Sequence, residues 1–319
     1  MTAQIDERGG LPQLDGTSLV TDSGLETDLI YHHGVDLPAF AAFVLLRDEP
    51  GRRLLERYYR DHLATAAAHG MGCVLETPTW RASADWAAAV GWTREQVLRV
   101  NRDAVQLVED VRSTVPGQAG PCLVSGCVGP RADGYVVGCR MTVDEARDYH
   151  AEQVDVFAET EADLVSLLTA TYPEEATGFV RAAQAAGVPS VVSFTVEVDG
   201  RLPDGSTLAD AVRAVDDATA AGPAYYMVNC AHPRHVRPAL EPAGAWTHRL
   251  VGLRANASTR SHAELDAATE LDDGDPEMLA EELVALRSLV PGLTVFGGCC
   301  GTDVRHIDAL AAALTRSRK

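Results

Sequence analysis

Eight short apolar segments, each leading into a helical pattern, constrain the fold of this 319-residue chain more than any other feature. The segments are residues 18–22, 72–76, 122–127, 164–170, 190–196, 224–230, 249–254 and 293–297. Their apolar residues are continuous instead of alternating, which favours parallel strands covered on both faces. Eight such strands, each followed by a helix, predict a single (β/α)8 TIM barrel of the α/β class. We expect residues 17–319 to form this barrel after a flexible leader at 1–16.

The helices between these strands have recognisable starting signals. Thr93 with Gln96, and Thr142 with Glu145, have the spacing of capping boxes. Helices are predicted after these two boxes and over residues 52–69, 174–186, 208–221, 232–240 and 277–289, with a last one after residue 302. Residues 198–206 and 257–275 are predicted to be long loops on the catalytic face of the barrel.

Composition excludes several classes of partner. The formal net charge is −19, from 46 acidic and 27 basic residues, and a nucleic-acid partner would require a basic surface. No apolar run approaches the roughly 18 residues that a membrane span needs. Seven cysteines without a secretory signal pattern predict a cytoplasmic protein with reduced thiols. We expect small-molecule substrates and a monomer or small homo-oligomer.

Three cysteines follow predicted strands on one rim of the barrel. Cys230 ends the sixth strand, and Cys299 and Cys300 follow the eighth. An isolated cysteine is most often a buried small hydrophobic residue. Here three cysteines converge beside glycines, and three sulfur ligands with an open fourth position are typical of a catalytic zinc site. The sequence therefore predicts one Zn²⁺ bound by these three residues.

The ligand type indicates which chemistry this zinc would support. A thiol with an ordinary pKa near ~8.5 is mostly protonated at neutral pH, and a zinc ion can hold it as a thiolate. A hydrolytic zinc site would instead favour histidine and carboxylate ligands around a bound water. The sequence contains no His-x-His or His-Glu-x-x-His pattern. The predicted chemistry is activation of a thiol.

At these residues the chain resembles the homocysteine S-methyltransferase family, zinc-dependent (β/α)8 barrels that alkylate a thiol. The resemblance runs from about Leu19 to Leu314 and is carried by Asp22-Ser23-Gly24, Glu76-Thr77-Pro78-Thr79, Val228-Asn229-Cys230 and Gly297-Gly298-Cys299-Cys300-Gly301-Thr302. It implies methyl transfer from a sulfonium donor, S-methylmethionine or S-adenosylmethionine, to a zinc-bound thiolate. The default acceptor is homocysteine, which would give methionine.

The resemblance also implies that Asp22 contacts the amino-acid substrate. The candidate substrate-binding residues are Asp22, Gly24, Glu76, Thr77, Asn229, Arg254 and Asn256. Arg254 either binds a substrate carboxylate or forms an ordinary salt bridge at the rim. His232 and His235 are candidates for a proton carrier, although exposed loop histidines are the commoner interpretation. No catalytic group beyond the zinc site is expected.

One departure from the family leaves the acceptor open. Family members carry Phe-Glu-Thr-Ile-Pro after the fourth strand, and that glutamate helps to hold the homocysteine ammonium group. This chain has Thr169-Ala170-Thr171-Tyr172-Pro173. If homocysteine is the acceptor, replacing Ala170 by glutamate is expected to improve its use. Methylation of a different thiol or selenol, and a non-catalytic zinc barrel that binds a thiol metabolite, remain alternative hypotheses.

Overall fold

The computed structural model describes residues 10–114, 120–241 and 244–317. Its eight strands are parallel and form a closed barrel, in which each strand pairs with the next and the eighth pairs with the first. The strands are β1 Leu19–Thr21, β2 Gly72–Glu76, β3 Cys122–Val128, β4 Leu164–Ala170, β5 Ser190–Phe194, β6 Tyr225–Ala231, β7 Leu250–Ala255 and β8 Val295–Gly298. The predicted (β/α)8 barrel is confirmed.

Helices cover the outside of the barrel. They are α1 Leu25–Tyr31, α2 Glu49–Ala68, α3 Ala84–Ala89, α4 Arg94–Thr114, α5 Val143–Ala158, α6 Pro173–Ala186, α7 Leu208–Thr219, α8 Pro233–Leu240, α9 His262–Asp266, α10 Pro276–Ala285 and α11 Val304–Arg316. Among the described residues, no helix combines the length and the apolar character that crossing a membrane requires.

Local capping explains where several helices begin. The predicted capping box at Thr142 is present, since its side chain accepts from the Glu145 backbone while the Glu145 side chain accepts in return. The expectation that residues 257–275 are loop throughout is wrong. Ser261 and Glu264 form another capping box there, and it starts the short helix α9.

The amino-terminal end of the barrel is closed by a segment that was expected to be flexible. Residues 1–9 of the predicted leader lie outside the described residues. Pro12–Asp15 form a 3₁₀ helix whose buried Gln13 donates a hydrogen bond to the Tyr225 hydroxyl at 3.2 Å. Thr294 Oγ1 donates to the Gln13 carbonyl at 2.9 Å. These contacts make residues 11–16 part of the barrel instead of the leader.

Two separate hydrophobic layers fill the structure. The layer inside the barrel consists of Leu19, Val74, Leu123, Cys127, Leu164, Leu168, Val191, Tyr225, Met227, Val251 and Val295. The larger layer lies between the strands and the helices. Strand residues alternate between these layers, as the two-residue period of a strand requires.

A bulge near the end of β4 interrupts this alternation. The pairing of β4 with β5 shifts register between Leu167 and Ala170, and Thr169 has a φ of +65°. Leu168 and Thr169 therefore both face the central cavity, while Ala170 is fully buried in the outer layer. A glutamate at residue 170 would enter the helical layer and not the cavity, which corrects the expectation that it would improve substrate use.

We predict that Ala170→Glu destabilises the fold instead of improving activity. The new carboxylate would be buried without a partner, which costs about 3 kcal/mol or more. Urea unfolding should show this loss in the free energy of unfolding. Ala88→Glu, the same substitution at an exposed position of α3, is the control and should leave the unfolding midpoint nearly unchanged. Equal stability of the two variants would contradict the assignment of Ala170 to the outer layer.

Candidate metal centre and substrate cavity

Three cysteine sulfurs meet at the carboxyl end of the barrel. The Sγ atoms of Cys230, Cys299 and Cys300 all lie within 4.8 Å of one another, and those of Cys230 and Cys300 are 3.4 Å apart. Cys230 is buried, whereas the other two are half-buried and line a cavity of about 420 Å³. The structure thus brings together the three residues that the sequence singled out, although they are far apart along the chain.

A bulge in β6 turns Cys230 into the cavity. The β6–β7 pairing is irregular between Asn229 and Ala231, and Cys230 has a φ of +55°. A non-glycine residue in this region is strained, and such strain tends to occur at functional sites. Asn229 and Cys230 consequently both line the cavity, although they are consecutive residues of one strand.

The glycines around the cysteine pair serve mainly to permit close approach. A Cβ on Gly297 would overlap the Thr21 hydroxyl, and one on Gly298 would overlap the Thr302 hydroxyl. Only Gly301 needs the left-handed conformation, with a φ of +79°. The end of β8 is therefore packed directly against β1, and the loop after β8 folds tightly back on it.

The electrostatics of the sulfur cluster favour a bound cation. Hydrogen bonds from Cys230 and Cys300 lower the pKa of the Cys299 thiol well below its usual range. The hydrogen bond to Cys299 in turn raises the pKa of Cys230 well above its usual range. Ionisation of Cys299 is therefore favoured, whereas ionisation of Cys230 is disfavoured. A metal cation would allow all three cysteines to ionise together.

Two predicted asparagines hold the cluster in place. Asn229 Oδ1 accepts from the Thr169 backbone N–H at 2.8 Å and from the Ser193 hydroxyl at 2.6 Å. Its Nδ2 group lies 3.8 Å from the Cys299 sulfur. Asn256 Oδ1 accepts from the Cys230 thiol at 3.4 Å. The structure places both amides beside the sulfurs, where they orient the cysteines.

Arg254 forms a buried ion cluster below the cysteine loop. Its Nη2 lies 2.7 Å from Asp22 Oδ1, and its Nη1 lies 3.7 Å from Glu76 Oε1. Arg254 Nε also donates to the Gly298 carbonyl at 3.2 Å, and Nη2 donates to the Ser23 carbonyl at 3.3 Å. Arg254 thus forms the salt bridge, but its Nη1 has no hydrogen-bond partner among the described residues and its side chain lines the cavity, so the geometry is compatible with both interpretations.

Burial controls the protonation of the two acids in this cluster. It raises the pKa of Glu76 to about 7, against the opposing effect of Arg254. It also raises the pKa of Asp22, which the same arginine and His62 counteract. The positive charge of Arg254 therefore partly compensates these two carboxylates, and both still line the cavity.

The remaining predicted residues have different positions. Gly24 touches the cysteine loop so closely that a Cβ would overlap the Cys299 carbonyl oxygen. Thr77 lines the cavity, but its hydroxyl already accepts from the Cys127 N–H at 2.9 Å. His232 and His235 do not line the cavity. His232 caps α8, and burial lowers its pKa to about 4.

Sequence reasoning missed a cavity residue next to the sulfurs, Tyr135, and the buried His262 that supports it. The Tyr135 hydroxyl lies 2.9 Å from Cys230 Sγ and 3.4 Å from Cys300 Sγ. Its ring stacks on His262 with centroids 4.0 Å apart, and His262 Nε2 donates to the Cys230 carbonyl at 2.7 Å. Tyr135 comes from the loop after β3 and His262 from the short helix α9 after β7, and no sequence motif marks them.

We predict that Arg254→Met strongly destabilises the protein. Removing one partner of a buried ion pair leaves uncompensated charge and costs about 3–5 kcal/mol. Urea unfolding should detect this loss, and Arg254→Lys should lose less because it retains the charge. Arg53→Met, which removes an exposed ion pair with Glu49 on α2, is the matched control and should change little. An Arg254→Met protein as stable as the wild type would show that the cluster is not an organising element.

Comparison with known proteins agrees with this architecture. The sequence model of the homocysteine S-methyltransferase family matches residues 19–314. Selenocysteine Se-methyltransferase of Brassica oleracea var. italica is 24% identical over 100% of this chain and 93% of its own length. Homocysteine S-methyltransferase 3 of Zea mays is 24% identical over 94% of this chain and 91% of its own length.

Solved structures show the same fold. The metallated form of the homocysteine methyltransferase MmuM from Escherichia coli superposes with a TM-score of 0.76 and 22% identity, covering 94% of this chain and 98% of that one. Its oxidized form superposes with a TM-score of 0.75 and 23% identity, covering 92% and 95%. Since the family match extends over the whole barrel, from β1 to α11, this chain is a methyltransferase and belongs to the homocysteine S-methyltransferase family.

Proposed function

We propose that this protein transfers a methyl group from a sulfonium donor to a thiol that is activated by zinc bound to Cys230, Cys299 and Cys300. The proposed acceptor is homocysteine, which would give methionine, and the proposed donor is S-methylmethionine or S-adenosylmethionine. Family membership supports thiol or selenol methylation. The observation that carries the metal assignment is the meeting of three sulfurs in the lining of one cavity.

The donor set fits zinc. Sulfur ligands alone, without a carboxylate or imidazole in the cluster of described residues, select a soft metal ion. All seven cysteines are free, which agrees with the reducing compartment that such a site requires. A zinc ion bound by these residues would keep an incoming thiol ionised at neutral pH.

The residues of the chain contribute to the reaction by positioning the substrates and by surrounding them with the walls of the cavity. As the acceptor sulfur forms its new bond to the methyl carbon, the bond from that carbon to the donor sulfur breaks, and its electron pair stays on the donor. A thiolate and a sulfonium thus become two neutral thioethers. Because charge disappears, a cavity walled by side chains such as Leu168, Trp80 and Phe40 favours the reaction more than water does.

A selenol is the second candidate acceptor. The relative from Brassica oleracea is named for methylation of selenocysteine, and it aligns with the full length of this chain. Selenocysteine also has an α-ammonium group and would present a softer nucleophile to the same three sulfurs. Rates with equal concentrations of homocysteine and selenocysteine, measured under reducing conditions, would rank the two acceptors.

We predict that the purified protein binds about one zinc ion per chain and that Cys299→Ser loses both the metal and the activity. Serine cannot replace a thiolate ligand for a soft metal, so metal content should fall together with turnover. Metal analysis and mass spectrometry of the methylated product measure the two effects. The donor panel should contain S-methylmethionine and S-adenosylmethionine.

Cys139→Ser is the matched control, because Cys139 is exposed and lies outside the sulfur cluster. It should retain zinc and activity. Full zinc content and full activity in both Cys230→Ser and Cys299→Ser would refute the metal assignment. Zinc binding without methyl transfer to any thiol or selenol would instead refute the proposed reaction and leave the metal site in place.

A further inference from the structure

Glu26 is a cavity carboxylate to which the metal site and the ion cluster assign no role. It lies in the first turn of α1, is half-buried and lines the cavity. Within the described part of the chain, its side chain forms no hydrogen bond or ion pair with another residue. Burial raises its pKa to about 7, with smaller contributions from the negative charges of Cys299 and Asp22. Arg81 attracts this carboxylate more weakly, without forming an ion pair with it.

The other charged groups deep in the cavity lie within ion-pair distance of one another, although Glu76 Oε2 and Arg254 Nη1 have no hydrogen-bond partner among the described residues. Asp22 and Glu76 face Arg254, and the buried Arg81 is 3.7 Å from Asp133 at the cavity wall. The remaining acids of the cavity lie at its mouth: Asp266 and Glu270 are exposed, and Asp272 accepts from the Ser258 hydroxyl at 2.6 Å. Among the described cavity residues, Glu26 is therefore a half-buried carboxylate that forms no ion pair and that a ligand can reach.

The backbone fixes Glu26 next to the cysteine loop. Its neighbour Thr27 accepts a hydrogen bond from the Gly301 N–H at 3.0 Å through its hydroxyl, and Gly24 N donates to the Thr302 carbonyl at 3.2 Å. The first turn of α1 is thus joined directly to the residues after Cys300. A ligand whose sulfur binds at the cysteines would therefore place its other polar groups close to the first turn of α1, which carries Glu26.

We propose that Glu26 accepts a hydrogen bond from the α-ammonium group of the amino-acid acceptor and thereby selects amino-acid thiols. This inference rests on the proposed function, since it assigns a recognition group to the same cavity. A carboxylate in a partly desolvated cavity that forms no ion pair is only partly compensated by the attraction of Arg81, and an ammonium group would complete that compensation. Strand β4 contains no acidic residue, so it supplies no competing carboxylate.

A simpler role for Glu26 is stabilisation of the helix start. Acidic residues in a first turn interact favourably with the helix dipole, and Glu26 is accompanied there by Asp28. That role would affect all substrates equally. A recognition role would affect only substrates that carry the cationic group, so the two roles can be distinguished.

The test compares homocysteine with 4-mercaptobutanoate, which is homocysteine without its amino group. Both the kcat/KM for methyl transfer and the affinity of the zinc-loaded protein, measured by calorimetry without donor, are determined for wild type and Glu26→Gln. Loss of one charge-assisted hydrogen bond should weaken homocysteine binding about ten- to a hundredfold in Glu26→Gln. Binding of 4-mercaptobutanoate should change less than about threefold, because it never makes this contact.

Two further variants complete the design. Glu26→Asp keeps the charge and should retain part of the preference for homocysteine. Asp36→Asn removes one exposed negative charge just beyond α1 and should not alter the preference. Because S-methylmethionine also carries an ammonium group, a parallel series with its des-amino analogue distinguishes donor from acceptor. An effect of Glu26→Gln confined to the donor would overturn the assignment to the acceptor.

The outcomes separate this inference from the proposed function. Equal losses for both thiols in Glu26→Gln, or no loss for either, would overturn the role of Glu26 while turnover by the wild type upheld the reaction. Ammonium-dependent binding of homocysteine that disappears in Glu26→Gln, without any methyl transfer, would uphold Glu26 and refute the reaction. A zinc-loaded wild type that binds no homocysteine would overturn both.

Discussion

The buried pair of Arg254 and Asp22 is the interaction on which the functional end of the barrel depends. Closure of the barrel relies on β1, a strand of only three residues, which pairs with β8 through two residue pairs. Beyond those pairs, the guanidinium of Arg254 contacts the loops after β1 and β8 together. Since Cys299 and Cys300 follow immediately, the same cation that reinforces the closure also positions two of the three sulfurs.

Two bulges of similar geometry adapt a regular barrel to its chemistry. Thr169 on β4 and Cys230 on β6 both have positive φ, and at each the cavity receives two consecutive side chains of one strand. Asn229 connects them by bonding both the N–H and the hydroxyl of Thr169. Bulges redirect side chains at the rims of barrels. Here the amide of Asn229 connects the two bulges by its hydrogen bonds.

Much of this could be predicted from the sequence, and the exceptions have physical causes. Continuous apolar runs identified all eight strands, because strands covered on both faces need apolar residues at every position. Cysteines at the ends of β6 and β8 converged because barrel topology brings these ends to one rim. The sequence could not predict that the Ala170 side chain points toward the helices. A β-bulge changes the face of the sheet on which a side chain lies, and no sequence signal marks this bulge. Tyr135 and Glu26 depend on how loops and a short helix fold over the mouth.

The closed amino-terminal end has a kinetic consequence. Gln13 and its hydrogen bonds seal the barrel floor, and the sulfurs lie inside a cavity whose described lining is open at the opposite end. On the proposed chemistry, a donor that enters through that end after the thiol has bound at the sulfurs would cover the thiol, which could then not leave before the donor. Steady-state kinetics should therefore follow a compulsory order, in which the demethylated donor is the first product to depart and excess donor hinders entry of the thiol.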